Sequence, residues 1–83
     1  MIILEHLSLA QNNLCDISPL RNTTNLIELN ISHNKIESLS PLSNLYNLEV
    51  LIASYNKITD IRPVNDLPKL NVIEVLYNYI EGL

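Results

Sequence analysis

A period of 22 residues runs the length of this chain and decides most of what it can become. Alignment on Leu4, Leu26, Leu48 and Leu70 brings Leu7, Leu29, Leu51 and Ile73 into one column, and Leu9, Ile31, Ala53 and Val75 into the next. Asn12, Asn34, Asn56 and Asn78 follow without exception. Leu14, Ile36, Ile58 and Ile80 come next, then Ile17, Leu39, Ile61 and Leu83. Three repeats continue with Pro19-Leu20, Pro41-Leu42 and Pro63-Val64, and Leu45 and Leu67 close the second and third, where the first has Thr23. A period of this length marks stacked units that bury their apolar sides only against each other. The repeats are bounded as 4–25, 26–47, 48–69 and 70–83, about three and a half rungs of one domain spanning 1–83.

The columns have a physical reading. Alternate residues such as Leu29 and Ile31 point to one side of an extended segment. That segment is too short to stand alone, so each must be one rung of a parallel sheet. The Asn falls where the chain leaves the strand, and its amide can bond backbone groups that the turn would otherwise leave unpaired inside. Pro then fixes the backbone and excludes a long helix. The segments 19–25, 41–47 and 63–69 are therefore expected to be short helical or 3₁₀ turns on the opposite, convex side. With Gly82 as the only glycine, the turns fall to Asn and Pro.

The pattern L-x-x-L-x-L-x-x-N-x-I/L resembles the leucine-rich repeat family over essentially the whole chain. The repeat length and the I-x-x-L/I-x-P-L tail are similar to the repeats of phosphatase-regulating leucine-rich repeat proteins and of the internalins of invasive bacteria. The resemblance implies an α/β solenoid with a parallel sheet on its concave face. It also implies a non-catalytic protein–protein interaction module, engaging a host or regulatory protein. A self-assembling homo-oligomeric structural protein and a regulatory subunit of an enzyme such as a phosphatase are the alternatives.

Composition narrows the remaining classes. Five Lys and Arg against nine Asp and Glu give a net charge of −4, which argues against a grip on nucleic acid. Cys15 is the only cysteine, so no internal disulfide and no cysteine-based metal cage can form. It is expected to be a partly buried small residue. No apolar run is long enough for a transmembrane helix. Glu5 and His6 interrupt the apolar start Met1-Ile2-Ile3-Leu4, so no export signal is read and a cytoplasmic location is expected. His6 and His33 fall on solvent-facing positions away from Cys15, and two imidazoles without a carboxylate cluster make a poor metal site. Asp16 and Asp60 share one repeat position, so they belong to the repeat pattern and not to an acid–base pair. No catalytic residue, metal ligand or cofactor is expected.

Positions between the core columns should face solvent on the concave side. They are Glu5, His6, Ser8, Ala10 and Gln11, then Ile27, Glu28, Asn30, Ser32 and His33, then Glu49, Val50, Ile52, Ser54 and Tyr55, and finally Asn71, Val72, Glu74, Leu76 and Tyr77. The first two rungs are mostly polar there. The last two gather Val50, Ile52, Tyr55, Val72, Leu76 and Tyr77 into a candidate partner-binding patch, with Glu28, Glu49 and Glu74 as an acidic rim. A protein partner with a basic or amphipathic surface would suit it. No capping segment is evident at either end, so homo-oligomerisation, as a homodimer through the open ends or the concave face, is a further expectation.

Overall fold

Short strands and long returns alternate because each rung offers only a few in–out residues before its Asn turns the chain. In a computed structural model, which describes residues 3–81, the strands are β1 (His6–Ser8), β2 (Glu28–Asn30), β3 (Val50–Ile52) and β4 (Val72–Glu74). They form one parallel sheet in the order β1-β2-β3-β4. The register follows the period: Leu7, Leu29, Leu51 and Ile73 are mutual partners across the sheet. The expected Gly82 and the core-column Leu83 lie outside the described residues.

The returns begin one residue before each proline. They are two 3₁₀ segments, η1 (Ser18–Asn22) and η2 (Ser40–Leu42), and one α-helical turn, α1 (Arg62–Asn65). Pro sits in the first two positions of each, where its fixed φ suits the turn and its missing N–H costs nothing. The side chain at rung position 13 starts each turn. Asp16 Oδ1 accepts the Ser18 N–H (2.9 Å), Ser38 Oγ the Ser40 N–H (3.2 Å), and Asp60 Oδ1 the Arg62 N–H (2.9 Å). Asp16 and Asp60 thus share a structural task, which is why they recur at one position.

Their electrostatics give a pH dependence. The backbone N–H and then the hydroxyl of Ser18 hold the Asp16 carboxyl below the usual carboxylate range. The Arg62 guanidinium, and after it the Arg62 backbone N–H, do the same for Asp60. A carboxyl whose pKa is lowered on folding stabilises the fold above its unfolded value of about 3.9, and that contribution is lost as pH falls through the folded value. Asp16→Asn with Asp60→Asn should therefore flatten the loss of stability below about pH 4. Urea midpoints at pH 5.5 and 2.5 check this, and an undiminished pH difference in the double variant would refute it.

The core lies between sheet and returns. Leu26, Ile31, Ile36, Leu39, Leu42, Leu45, Leu48, Leu51 and Ile58 are fully buried, and Leu29 nearly so. Where Leu45 and Leu67 fill their column, Thr23 is half-buried and its Oγ1 donates to the Leu20 carbonyl (2.6 Å). The end rungs differ from the middle. Leu4 is 41% exposed and Ile73 38%, against 0–1% for Leu26, Leu48, Leu29 and Leu51.

The Asn column supplies the polar half of the core. Asn56 Nδ2 donates to the carbonyls of Ala53 (3.1 Å) and Ser54 (3.4 Å) in its own rung and Ile31 (2.9 Å) in the rung before. Its Oδ1 accepts the Ile36 N–H (3.0 Å). Asn34 repeats this set toward Ile31, Ser32, Leu9 and Leu14, and Asn78 toward Val75, Leu76, Ala53 and Ile58. Each Asn closes its own turn and ties it to its neighbour. Among the described residues no buried side-chain nitrogen or oxygen lacks a partner.

Candidate protein-binding face

Three columns of side chains emerge on the solvent side of the sheet. His6, Glu28, Val50 and Val72 are register partners, as are Ser8, Asn30, Ile52 and Glu74. Val50, Ile52 and Val72 thus share one apolar area, with Glu28 and Glu74 beside it. Val72 is 43% exposed, and Val50 and Ile52 are half-buried. A shallow groove of about 410 Å³ runs along this face, lined by His6, Ser8, Glu28, Asn30, Val50 and Ile52. His6 Nδ1 lies 3.4 Å from Glu28 Oε1, an exposed pair that ties the first two rungs at the groove's polar end.

The third column stands at the exit of the strands. Gln11, His33, Tyr55 and Tyr77 occupy rung position 8, all with φ between 56° and 61°. A left-handed backbone at a non-glycine residue costs about 1–2 kcal/mol. For His33, Tyr55 and Tyr77 ring stacking recovers part of it. The His33 and Tyr55 rings stack at 4.3 Å between centroids and 11° between planes, and the Tyr55 and Tyr77 rings at 4.6 Å and 15°. Such pairs contribute about 0.5–1.5 kcal/mol beyond their buried area. Backbone bonds fix the same residues, since the His33 N–H donates to the Ser54 carbonyl and the Tyr55 N–H to the Leu76 carbonyl. The result is a rigid aromatic wall beside the apolar area, with the exposed Lys35 and Lys57 two residues further along the chain.

Several expected positions sit elsewhere. Ser32 and Ser54 do not face solvent. They are buried because the chain already bends inward at rung position 7, and their hydroxyls work there. The Ser32 hydroxyl donates to Asn30 Oδ1 (2.7 Å), and Ser54 Oγ accepts the Leu76 N–H (3.1 Å). Leu76, at the same position in the last rung, is 67% exposed because it has no following rung against it. Ala10 and Ile27 are half-buried. Glu49 is half-buried at the strand entrance, sharing a small polar recess with Glu5, Asn47 and Lys69. Cys15 is exposed, not partly buried, since it leads into the convex turn beyond the inward-pointing Leu14. His33, left outside the expected patch, is an end member of the aromatic wall.

Among the described residues no three His, Cys, Asp or Glu side chains gather as metal ligands would. Among them, too, no helix is long and apolar enough to cross a membrane. The family description for leucine-rich repeats in two copies matches residues 4–45 and again 46–83. The chain belongs to the leucine-rich repeat family. No curated protein sequence matches it. Among solved structures it is similar to internalin C2 from Listeria monocytogenes, with a TM-score of 0.93 and 41% identity over 96% of this chain and 35% of that one. It is also similar to internalin F of the same bacterium, with a TM-score of 0.64 and 27% identity over 96% of this chain and 30% of that one. This leucine-rich repeat chain thus spans about a third of the length of both internalins. Leucine-rich repeats of this kind generally mediate protein–protein interactions and are typically non-catalytic.

Proposed function

We propose that this chain is a non-catalytic binding module that takes a protein partner on the concave face of its second to fourth rungs. The observation that carries the reading is the aromatic wall of His33, Tyr55 and Tyr77 standing beside the Val50, Ile52 and Val72 area. Stacking has already fixed these rings, so a partner that packs against them gains contact without ordering them first. Glu28 and Glu74 stand beside the apolar area, so a partner with a basic or amphipathic surface is favoured there, while Glu49 lies at the strand entrance in a recess shared with Lys69. The proposed partner classes are a regulatory protein or a protein of a host organism. Nothing on the face favours action on a phosphatase over other partners.

The test is retention of a protein by the immobilised chain and by two variants. Tyr55→Ala with Tyr77→Ala should weaken retention by about 2 kcal/mol for each ring that acts as an anchor, some thirty-fold. Tyr46→Ala, at an exposed ring in the return between η2 and β3, should leave retention unchanged. Retention that survives the double substitution and fails with Tyr46→Ala would move the binding surface to the convex side.

A further inference from the structure

We propose that the partner presents an amphipathic helix to this face, lying along the strands of the second and third rungs with its acidic N-terminal end over Lys35 and Lys57 and its basic C-terminal end over Glu28. The proposal rests on the concave-face reading and adds the partner's shape, charge order and direction to it. Its basis is an asymmetry of charge along each rung. Glu28, at rung position 3, is exposed at the polar end of the groove. Val50 and Ile52 form the apolar area beside it, and His33 and Tyr55 follow as the stacked wall at position 8. Lys35 and Lys57 end the series at position 10, both exposed. All of these residues stand on rungs with a neighbour on either side, so none owes its exposure to the end of the stack.

The lysines are held in place by the turn. The Lys35 N–H donates to the Leu14 carbonyl (2.7 Å) and the Lys57 N–H to the Ile36 carbonyl (2.9 Å). This keeps the two on adjacent rungs, roughly 4.8 Å apart in backbone. Their chain neighbours Asn34, Ile36, Asn56 and Ile58 are buried, so each lysine is the side chain that turns outward. Facing like charges repel. Among the described residues neither ammonium is in an ion pair, the pairs being His6 with Glu28 and Arg62 with Asp60. Glu37 follows Lys35 by two residues, further from the wall, and Thr59 takes that place after Lys57. Carboxylates brought by a partner relieve the repulsion. Shape follows from the sheet. The inner rungs have no free strand edge, so a partner cannot add a strand to them and must bind through side chains. An apolar helix stripe suits such a groove, and helices favour acidic residues in the first turn and basic ones in the last. From position 3 to position 10 the chain reaches at most about 23 Å, the length of a helix of about fifteen residues.

The probe is a synthetic helical peptide of about fifteen residues, with Glu in its first turn, a Leu stripe, and Lys in its last turn beside a nitroxide label. A second peptide has the same residues with Glu and Lys interspersed. Both are titrated into the isotope-labelled chain and followed by its amide signals. The first peptide should bind about ten-fold more tightly than the second, and its nitroxide should broaden Glu28 and Val50 more than Lys35 and Lys57. Lys35→Glu with Lys57→Glu should lower its affinity about ten-fold. Circular dichroism melts establish that the variant folds. Adding Glu28→Lys should restore binding with the peptide turned round, the broadening now stronger at positions 35 and 57. Equal affinity for the two peptides, or broadening that ignores the reversal, overturns the charge order. The concave-face reading survives that result if Tyr55→Ala with Tyr77→Ala still weakens retention of a protein partner. A first peptide that binds this tyrosine variant as tightly as the parent overturns both. A chain that pairs with itself at twice 9.4 kDa until the lysines are reversed makes a second copy the occupant, which overturns the helix.

Discussion

Leu51→Ala is expected to lower stability by about 3–5 kcal/mol, in the upper part of the range for buried leucine truncation. Leu51 is fully buried on β3, with Leu29 on one side and Ile73 on the other. Both neighbours are held in register by backbone bonds, so the stack collapses poorly into the space left. A domain of this size has on the order of 4–12 kcal/mol of stability in all. The substitution should therefore lower the melting temperature by about 15–30 °C. Leu7→Ala removes the same atoms from the half-buried first rung and should cost less than half as much. Equal losses at Leu7 and Leu51 in thermal melts would mean that the stack does not have a dry middle and wet ends.

Asn56→Ala should cost about 1–3 kcal/mol, although it removes little apolar area. Asn56 is 6% exposed, and its amide serves three carbonyls and one N–H from two rungs. Removal orphans the buried Ile36 N–H, at a cost of about 1–3 kcal/mol for an unsatisfied buried group, while the Ile31, Ala53 and Ser54 carbonyls each keep one donor, from Asn34, Asn78 and His33. Asn56→Asp should be at least as costly, because it sets carboxylate oxygens against the three carbonyls that the NH₂ group now serves. Asn12→Ala is the internal control, since Asn12 is exposed and donates to Leu9 and Ala10 only. Chemical denaturation of the three variants checks the order, and a harmless Asn56→Ala would refute the ladder.

The rung architecture was legible because the same residue types return at the same spacing. One rung read alone would give an ambiguous short strand, but four Leu-x-x-Leu-x-Leu segments in phase leave one way to bury their apolar sides. The Asn column was legible for the same reason, and each Asn bonds where a turn residue should. The candidate face was legible in outline, as register places Val50, Ile52 and Val72 together. Its finer geometry was not. Ser32 and Ser54 look like surface residues, yet they sit where the chain bends inward and where a hydroxyl is small enough to be enclosed. Cys15 looks like a partly buried small residue, but the neighbouring Leu14 takes the inward position and leaves it exposed. The aromatic wall was hidden because its backbone is left-handed, and His, Tyr and Tyr do not announce that conformation as Gly or Asn would. Its signal was the 22-residue spacing of His33, Tyr55 and Tyr77, which marks them as one column.

Amide hydrogen exchange at Ile36 tests most directly whether side-chain amides close the backbone of each neighbouring rung. Its N–H points at Asn56 Oδ1 (3.0 Å) within the buried stack. Exchange there should be as slow as global unfolding allows, while the exposed neighbour Glu37 exchanges quickly. Asn56→Ala should speed Ile36 well beyond its effect on overall stability. An Ile36 amide that exchanges as fast as Glu37 in the parent chain would contradict the ladder, and with it the rigid register that sets the concave face.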